Sequence, residues 1–222
     1  MIITGDTHGL LDLESLKKYC KTHKTENQYI VILGDCGVCF HGGYKDEMVK
    51  DELERLPSKG VLWIDGNHEN FDILKGYDVK EWNGGKVQYI SNKIIHLMRG
   101  QVYEIDKKRV FTFGGGLSID KMYRLEGRSW WKEEMPSKEE YEEGIKNLER
   151  VGNRVDYIFT HTAPREICKQ LVKNIYPGEE ELQNYLQKIS ERVEFKKWYY
   201  GHWHFDRIIG KYEGMYDLVK RI

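Results

Sequence analysis

The chain has 222 residues, enough to bury one sizeable core, and its 35 basic residues nearly cancel 36 acidic ones. That balance excludes the global field of a general nucleic-acid or membrane-surface binder. No stretch approaches the roughly 20 apolar residues that cross a bilayer, and the first residues lack a basic segment followed by an apolar run and a cleavage site, so no membrane contact and a cytoplasmic location are expected.

Met1 to Thr4 opens as a short apolar strand, and Leu10 to Lys24 carries Leu13, Leu16 and Cys20 at helical spacing. The pattern recurs as a strand from Tyr29 to Leu33, a loop from Gly34, a helix from Lys45 to Leu56 and a strand from Gly60 to Ile64. Alternating strand and helix predicts parallel strands. Lys86 to Ile90, Ile94 to Leu97, Gln101 to Ile105 and Arg109 to Phe113 then read as short strands in antiparallel hairpins, which imply a second sheet. After Gly114-Gly115-Gly116 an irregular stretch reaches Pro136, followed by a charged helix from Ser137 to Arg150. A strand from Val155 to Thr160, helices over Arg165 to Lys173 and Gly178 to Glu191, and a strand from Lys197 to Tyr200 come next, with Arg207 to Lys211 and Met215 to Val219 as closing strands. No repeat, low-complexity tract or linker interrupts this order, and a single domain over residues 1–222 is expected.

The chemistry is concentrated in five polar clusters, each placed where an apolar run ends: Asp6-Thr7-His8, Gly34-Asp35, Gly66-Asn67-His68-Glu69, Thr160-His161 and Gly201-His202-Trp203-His204. Ligands of open sheets collect where loops leave the carboxyl ends of strands. Asp6 and His8, like His202 and His204, are two residues apart, and on extended backbone each pair projects to one side. Carboxylate oxygen and imidazole nitrogen suit manganese, iron, zinc, nickel or cobalt, with manganese the first to try. A carboxylate such as Asp35 can bridge two ions roughly 3.5–4 Å apart. Taken singly, Asp6, Asp35 and Asn67 are equally good helix caps, and the histidines equally good packing residues. The weight falls on the set, since four of the eight histidines, His8, His161, His202 and His204, stand at strand exits. His23, His41 and His96 have no such context. Glu69 either orients an imidazole or caps its loop. Cys36 and Cys39 lack the second close pair of a structural zinc site and read, with Cys20 and Cys168, as free thiols.

The ordered set DxH, GD, GNHE, lone His and GHxH resembles the calcineurin-like metallophosphoesterase superfamily over nearly the whole chain. The resemblance implies a four-layer αββα sandwich of two mixed sheets flanked by helices. It also implies one divalent ion on Asp6, His8, Asp35 and His204, a second on Asp35, Asn67, His161 and His202, and His68 as the catalytic group that stabilises charge or donates a proton. The reaction implied is in-line attack by a metal-bridging hydroxide on a phosphate ester. Many relatives extend the second cluster as GDxxDRG, where this chain reads Gly34-Asp35-Cys36-Gly37-Val38-Cys39, without the later acid and Arg. The segment from Gly114 to Trp131 resembles one in a bacterial and phage subset; Lys121, Arg124 and Arg128 are its candidates for contacting an anionic substrate, while Trp130 and Trp131 either stack on a base or pack in the core. The expected activity leans to phosphodiesters, with nucleotide or nucleic-acid esters among the candidate substrates. A phosphomonoesterase acting on a protein or metabolite is the alternative. A non-catalytic binding scaffold is the third reading.

Overall fold

The computed structural model describes residues 1–173 and 177–222. Strand β1 (Ile2–Thr4) precedes helix α1 (Glu14–Thr22), β2 (Tyr29–Ile32) precedes α2 (Tyr44–Arg55), and β3 (Gly60–Trp63) is followed by the one-turn α3 (Phe71–Leu74). An edge hairpin of β4 (Val79–Trp82) and β5 (Gly85–Tyr89) leads to β6 (Ile94–Leu97), which lies parallel beside β3. The chain then crosses to a second sheet with β7 (Gln101–Ile105) and β8 (Lys108–Phe113), then α4 (Lys138–Arg150), β9 (Tyr157–Thr160), α5 (Arg165–Leu171), α6 (Glu180–Arg192), β10 (Lys197–Tyr200), β11 (Arg207–Ile209) and β12 (Tyr212–Gly214). A final strand, β13 (Lys220–Arg221), returns to pair with β1.

The seven-stranded sheet runs β13-β1-β2-β3-β6-β5-β4 and the six-stranded sheet β11-β12-β10-β9-β8-β7. Each has a parallel centre, β1-β2-β3-β6 in one and β8-β9-β10-β12 in the other, with antiparallel strands at its margins. Period-two alternation divides the side chains between faces. Ile3, Val31, Leu33, Leu62 and Ile64 meet Tyr103, Val110, Phe159 and Tyr199 of the opposite sheet in the central apolar layer. Ile2, Ile30, Ile32, Val61 and Trp63 point outward to Leu16, Cys20, Val49 and Leu53 of α1 and α2. Phe111, Phe113, Ile158, Trp198 and Tyr200 cover the other outer face with Leu148, Leu182, Leu186 and Ile189. The result is a four-layer αββα sandwich, as expected. Among the described residues no helix is long and apolar enough to cross a membrane.

Three expectations are corrected. The hairpin over residues 86–97 belongs to the first sheet, and the change of sheet falls at Met98-Arg99-Gly100. At this crossing the buried Arg99 donates from Nε to Asp65 Oδ2 at 2.7 Å and from Nη2 to the Glu133 carbonyl at 2.7 Å, with Nη1 3.2 Å from Glu140 Oε2. Met215 to Val219 is not a strand, because the Asp206 carboxylate takes the amides of Tyr216 (2.7 Å) and Leu218 (3.2 Å) that a ladder would need. Finally, α1 begins at Glu14, so Leu10 and Leu11 sit in the preceding turn. The charged helix α4 opens on a capping box between Ser137 and Glu140, which satisfies two amides of its first turn.

Candidate metal centre

The parallel strands of both sheets end at one rim. Asp6 follows β1, Asp35 follows β2, and Asn67 and His68 follow β3; His161 and the pair His202 and His204 follow β9 and β10 of the other sheet. Asp35 Oδ1 accepts the His68 amide at 2.8 Å. Its Oδ2 stands 3.6 Å from His8 Nε2 and 3.6 Å from His161 Nε2, too long for hydrogen bonds and suited to donors that share an ion. Asp6 is 3.8 Å from His161 Nδ1 through Oδ1 and 3.2 Å from His204 Nε2 through Oδ2. The ligand atoms of Asp6, His8 and His204, and those of Asp6, Asp35 and His161, lie within 4.8 Å of one another, giving two candidate clusters. Asn67 joins through Oδ1, 3.0 Å from His161 Nε2, while its Nδ2 donates to Ser118 Oγ at 3.1 Å and so turns the oxygen inward. His202 belongs to neither of these two clusters; its ring lies beside them, its centroid 4.8 Å from that of His161.

The backbone that aims these groups is not extended. His8 (φ 42°), Asp35 (47°), His202 (65°) and His204 (50°) all occupy the left-handed region, sparsely used by residues with a Cβ. The pairs converge through tight turns, which also direct the His202 amide at both Asp6 carboxylate oxygens (3.0 and 3.1 Å). Strain of this kind persists where surrounding contacts over-determine the conformation. Two glycines make room: a Cβ on Gly34 (φ 103°) would lie 2.0 Å from His161 Nδ1, and one on Gly116 would lie 3.0 Å from His161 Cδ2 and 3.3 Å from both Asn67 Oδ1 and His202 Cε1.

A layer of partners behind the donors orients them. His161 Nδ1 donates to the Leu33 carbonyl at 2.8 Å, which fixes the ring and turns Nε2 toward Asn67 Oδ1 and Asp35 Oδ2. His8 Nδ1 is held by Asp12 Oδ2 at 2.7 Å, which likewise fixes its ring. Burial alone would lower the His8 pKa, but Asp35, Asp12 and Asp6 outweigh it and push it up to about 9. His202 behaves alike: burial is overcome by Glu179, whose Oε1 lies 3.4 Å from Nε2, and the imidazole is pushed up to about 9. Glu179 is itself buried and takes hydrogen bonds from the Leu117 amide (2.9 Å), Thr162 Oγ1 (3.0 Å) and Gln183 Nε2 (2.7 Å). Asp12 and Glu179 were not among the sequence candidates. Glu69 is a loop cap, accepting the Gly66 amide at 3.2 Å. Burial first and the Asp35 charge second push its carboxyl well above the usual range.

His68 sits at the edge of the cluster with its ring centroid 5.8 Å from that of His8. Its Nδ1 is 3.1 Å from Arg124 Nη1. A guanidinium only donates, so Nδ1 accepts, and a neutral His68 carries its proton on Nε2. Burial holds this imidazole below its usual pKa, Arg124 adds to that effect, and Asp35 opposes it. Arg124 therefore lies at the site, whereas Lys121 is exposed and extends over the Trp130 ring at 5.5 Å. Arg128 is likewise exposed. Trp131 is a core residue, 3% exposed, with Nε1 donating to Asp72 at 2.8 Å. His41 is exposed, His23 stacks on Tyr19, and His96 is buried against Gln88 and Asp65.

The family model of the calcineurin-like phosphoesterases matches residues 1–206. No curated protein matches the chain. Among solved structures, phosphopantetheinyl hydrolase from Mycobacterium tuberculosis is 16% identical with a TM-score of 0.49, the alignment covering 97% of this chain and 87% of that one.

Proposed function

Because the chain belongs to the calcineurin-like phosphoesterase family, we propose that it is a hydrolase of phosphodiesters that works with two divalent ions at the rim. Asp6, His8, Asp35 and His204 would hold one ion, and Asp35, Asn67, His161 and His202 the other. The observation that carries this reading is Asp35, a buried carboxylate with one oxygen pinned by an amide and the other flanked at 3.6 Å by imidazoles from both sheets. The donor set fits such ions, since it is oxygen and imidazole nitrogen with the second ring nitrogens of His8 and His161 already engaged. Bound ions of this kind supply a nucleophile at neutral pH and neutralise phosphoryl charge.

The remaining roles fall to the chain's own side chains. The proton on His68 Nε2 serves the ester oxygen, either as a hydrogen bond to developing charge or by transfer to the leaving group. Arg124, behind His68, fixes that tautomer and adds a cation beside the phosphate. The preference for diesters rests on the joint presence of His8 and His68 and on Cys36 to Cys39 replacing the acid and Arg of the protein-phosphatase pattern.

The test is hydrolysis of bis-p-nitrophenyl phosphate and p-nitrophenyl phosphate across manganese, iron, zinc, nickel and cobalt. Asp35→Ala and His68→Ala should each lower turnover by at least about 100-fold in folded protein. Undiminished hydrolysis by either variant overturns the assignment, and faster turnover of the monoester moves it to phosphomonoesters.

A further inference from the structure

Two clefts open from the rim and share Asp35 and His68. One, of about 390 Å³, mixes Asn67, Ser118, Asp120 and Arg124 with the apolar Leu117, Ile119, Trp203 and Phe205. The other, of about 480 Å³, is walled by Leu10, Leu11, Phe40, Met48 and Val49, with His8 and His68 at its inner end. The second wall is unusual for a surface beside a charged site: Leu10 is 42%, Leu11 82% and Met48 39% exposed. Leu10 and Leu11 are kept there by the turn ahead of α1, where the Asp12 amide bonds the Thr7 carbonyl at 3.0 Å. Phe40 is fixed as well, because the buried Asp46 carboxylate takes the amides of Phe40, His41 and Gly42 at 3.1, 3.0 and 2.9 Å. The Phe40 ring meets His68 edge-on at 5.8 Å, so an aromatic wall runs from the catalytic imidazole into the cleft. Beyond the inner end, where His8, Asp35 and His68 face the rim, the polar side chains of this cleft are the exposed His41 and Lys45, and a substituent rich in hydrogen-bonding groups would leave most of them unpaired against the remaining walls.

We infer that this cleft is a subsite for an apolar aromatic group attached to the phosphate, so that the substrate is an unsymmetrical ester with its aromatic arm on Leu10, Leu11, Phe40 and Met48 and its polar arm toward Arg124. The inference rests on the phosphoesterase reading and deepens it. A phosphate held between the shared Asp35 and His68 can send one substituent into each cleft; the cleft that carries Asp120 and Arg124 takes the polar arm, and the more apolar one takes the aromatic arm. A volume near 480 Å³ falls within the range of small-molecule sites.

Phenylphosphonate and methylphosphonate, which share a headgroup and resist hydrolysis, are the probes, titrated calorimetrically into full-length protein with saturating manganese. Phenylphosphonate should bind about tenfold or more tightly, the gain expected from burying an aromatic ring. In Leu11→Ser and Met48→Gln, whose side chains are exposed enough to spare the fold, that ratio should fall toward one. Equal binding of the two probes, no binding of phenylphosphonate at millimolar concentration, or a ratio unmoved by both variants overturns the subsite. If the ratio behaves as expected while no metal supports hydrolysis of bis-p-nitrophenyl phosphate, the subsite stands and the catalytic reading fails.

Discussion

Orientation of the candidate ligands at this rim depends on side chains that stand outside the proposed ion sites. Asp12 holds His8 Nδ1 at 2.7 Å and thereby presents Nε2 toward Asp35. Asp12→Ala should weaken binding of the ion at His8 by about 10–100-fold, the usual cost of losing such a partner, as measured by competition with a chromogenic chelator. Unchanged affinity would show that the turn alone fixes the ring. Seven donor candidates were legible in the sequence because each is a polar residue at the end of an apolar run, where a strand must stop. Their supports were not. Asp12 stands four residues from His8 in a stretch whose spacing reads as helix, while Glu179 is 23 residues from His202 and only the packing of α6 against the second sheet brings them together. The left-handed torsions of His8, Asp35, His202 and His204 were equally hidden, since no residue pattern separates a strained turn from an extended exit.

Among the elements, the crossing between sheets is the most exposed to a single change. Arg99 is buried there, 6% exposed, against Asp65 (1%), which directly precedes the Gly66-Asn67-His68 loop. Removing one partner of a buried pair strands the other charge, so Arg99→Met should cost about 3–5 kcal/mol, read as a lower urea midpoint at neutral pH. Burial would raise the Asp65 pKa, but Arg99 and His96 overcome it and hold the carboxyl well below the usual range. Stability from a depressed carboxyl is complete above its unfolded pKa of about 3.9 and is lost as pH falls below that value. The gap between wild type and Arg99→Met should therefore narrow on acidification below about pH 4, and a gap that stays constant would remove Asp65 from the account. Strands with continuous apolar runs, β2, β3 and β9, were readable from their residues. β4 was not, because Val-Lys-Glu-Trp is an exposed edge without alternation, and its one local signal is the Asn83-Gly84 turn that closes the hairpin.

For the whole molecule, the candidate ligands are divided between layers: Asp6, His8, Asp35 and Asn67 follow strands of one sheet, and His161, His202 and His204 follow strands of the other. Ions bound at the rim would tie the two sheets together and bind only the folded chain. Saturation at 100 times the dissociation constant is worth about 2.7 kcal/mol, so chelation should lower the melting temperature by several degrees in scanning calorimetry. Coincident melting curves with and without metal would mean that the rim does not take up ions. The αββα layering was legible through the resemblance of the ordered motifs; the point where the chain leaves one sheet for the other was not, because the strands on both sides of Arg99 are alike in length and apolar content. The left-handed residues at the rim also bear on protein engineering. Each forgoes about 1–2 kcal/mol relative to right-handed backbone, and the sandwich imposes all four at once. A short peptide carrying Asp-Thr-His or Gly-His-Trp-His would relax to ordinary torsions, so transplanting this centre to another scaffold requires copying its backbone turns as well as its side chains.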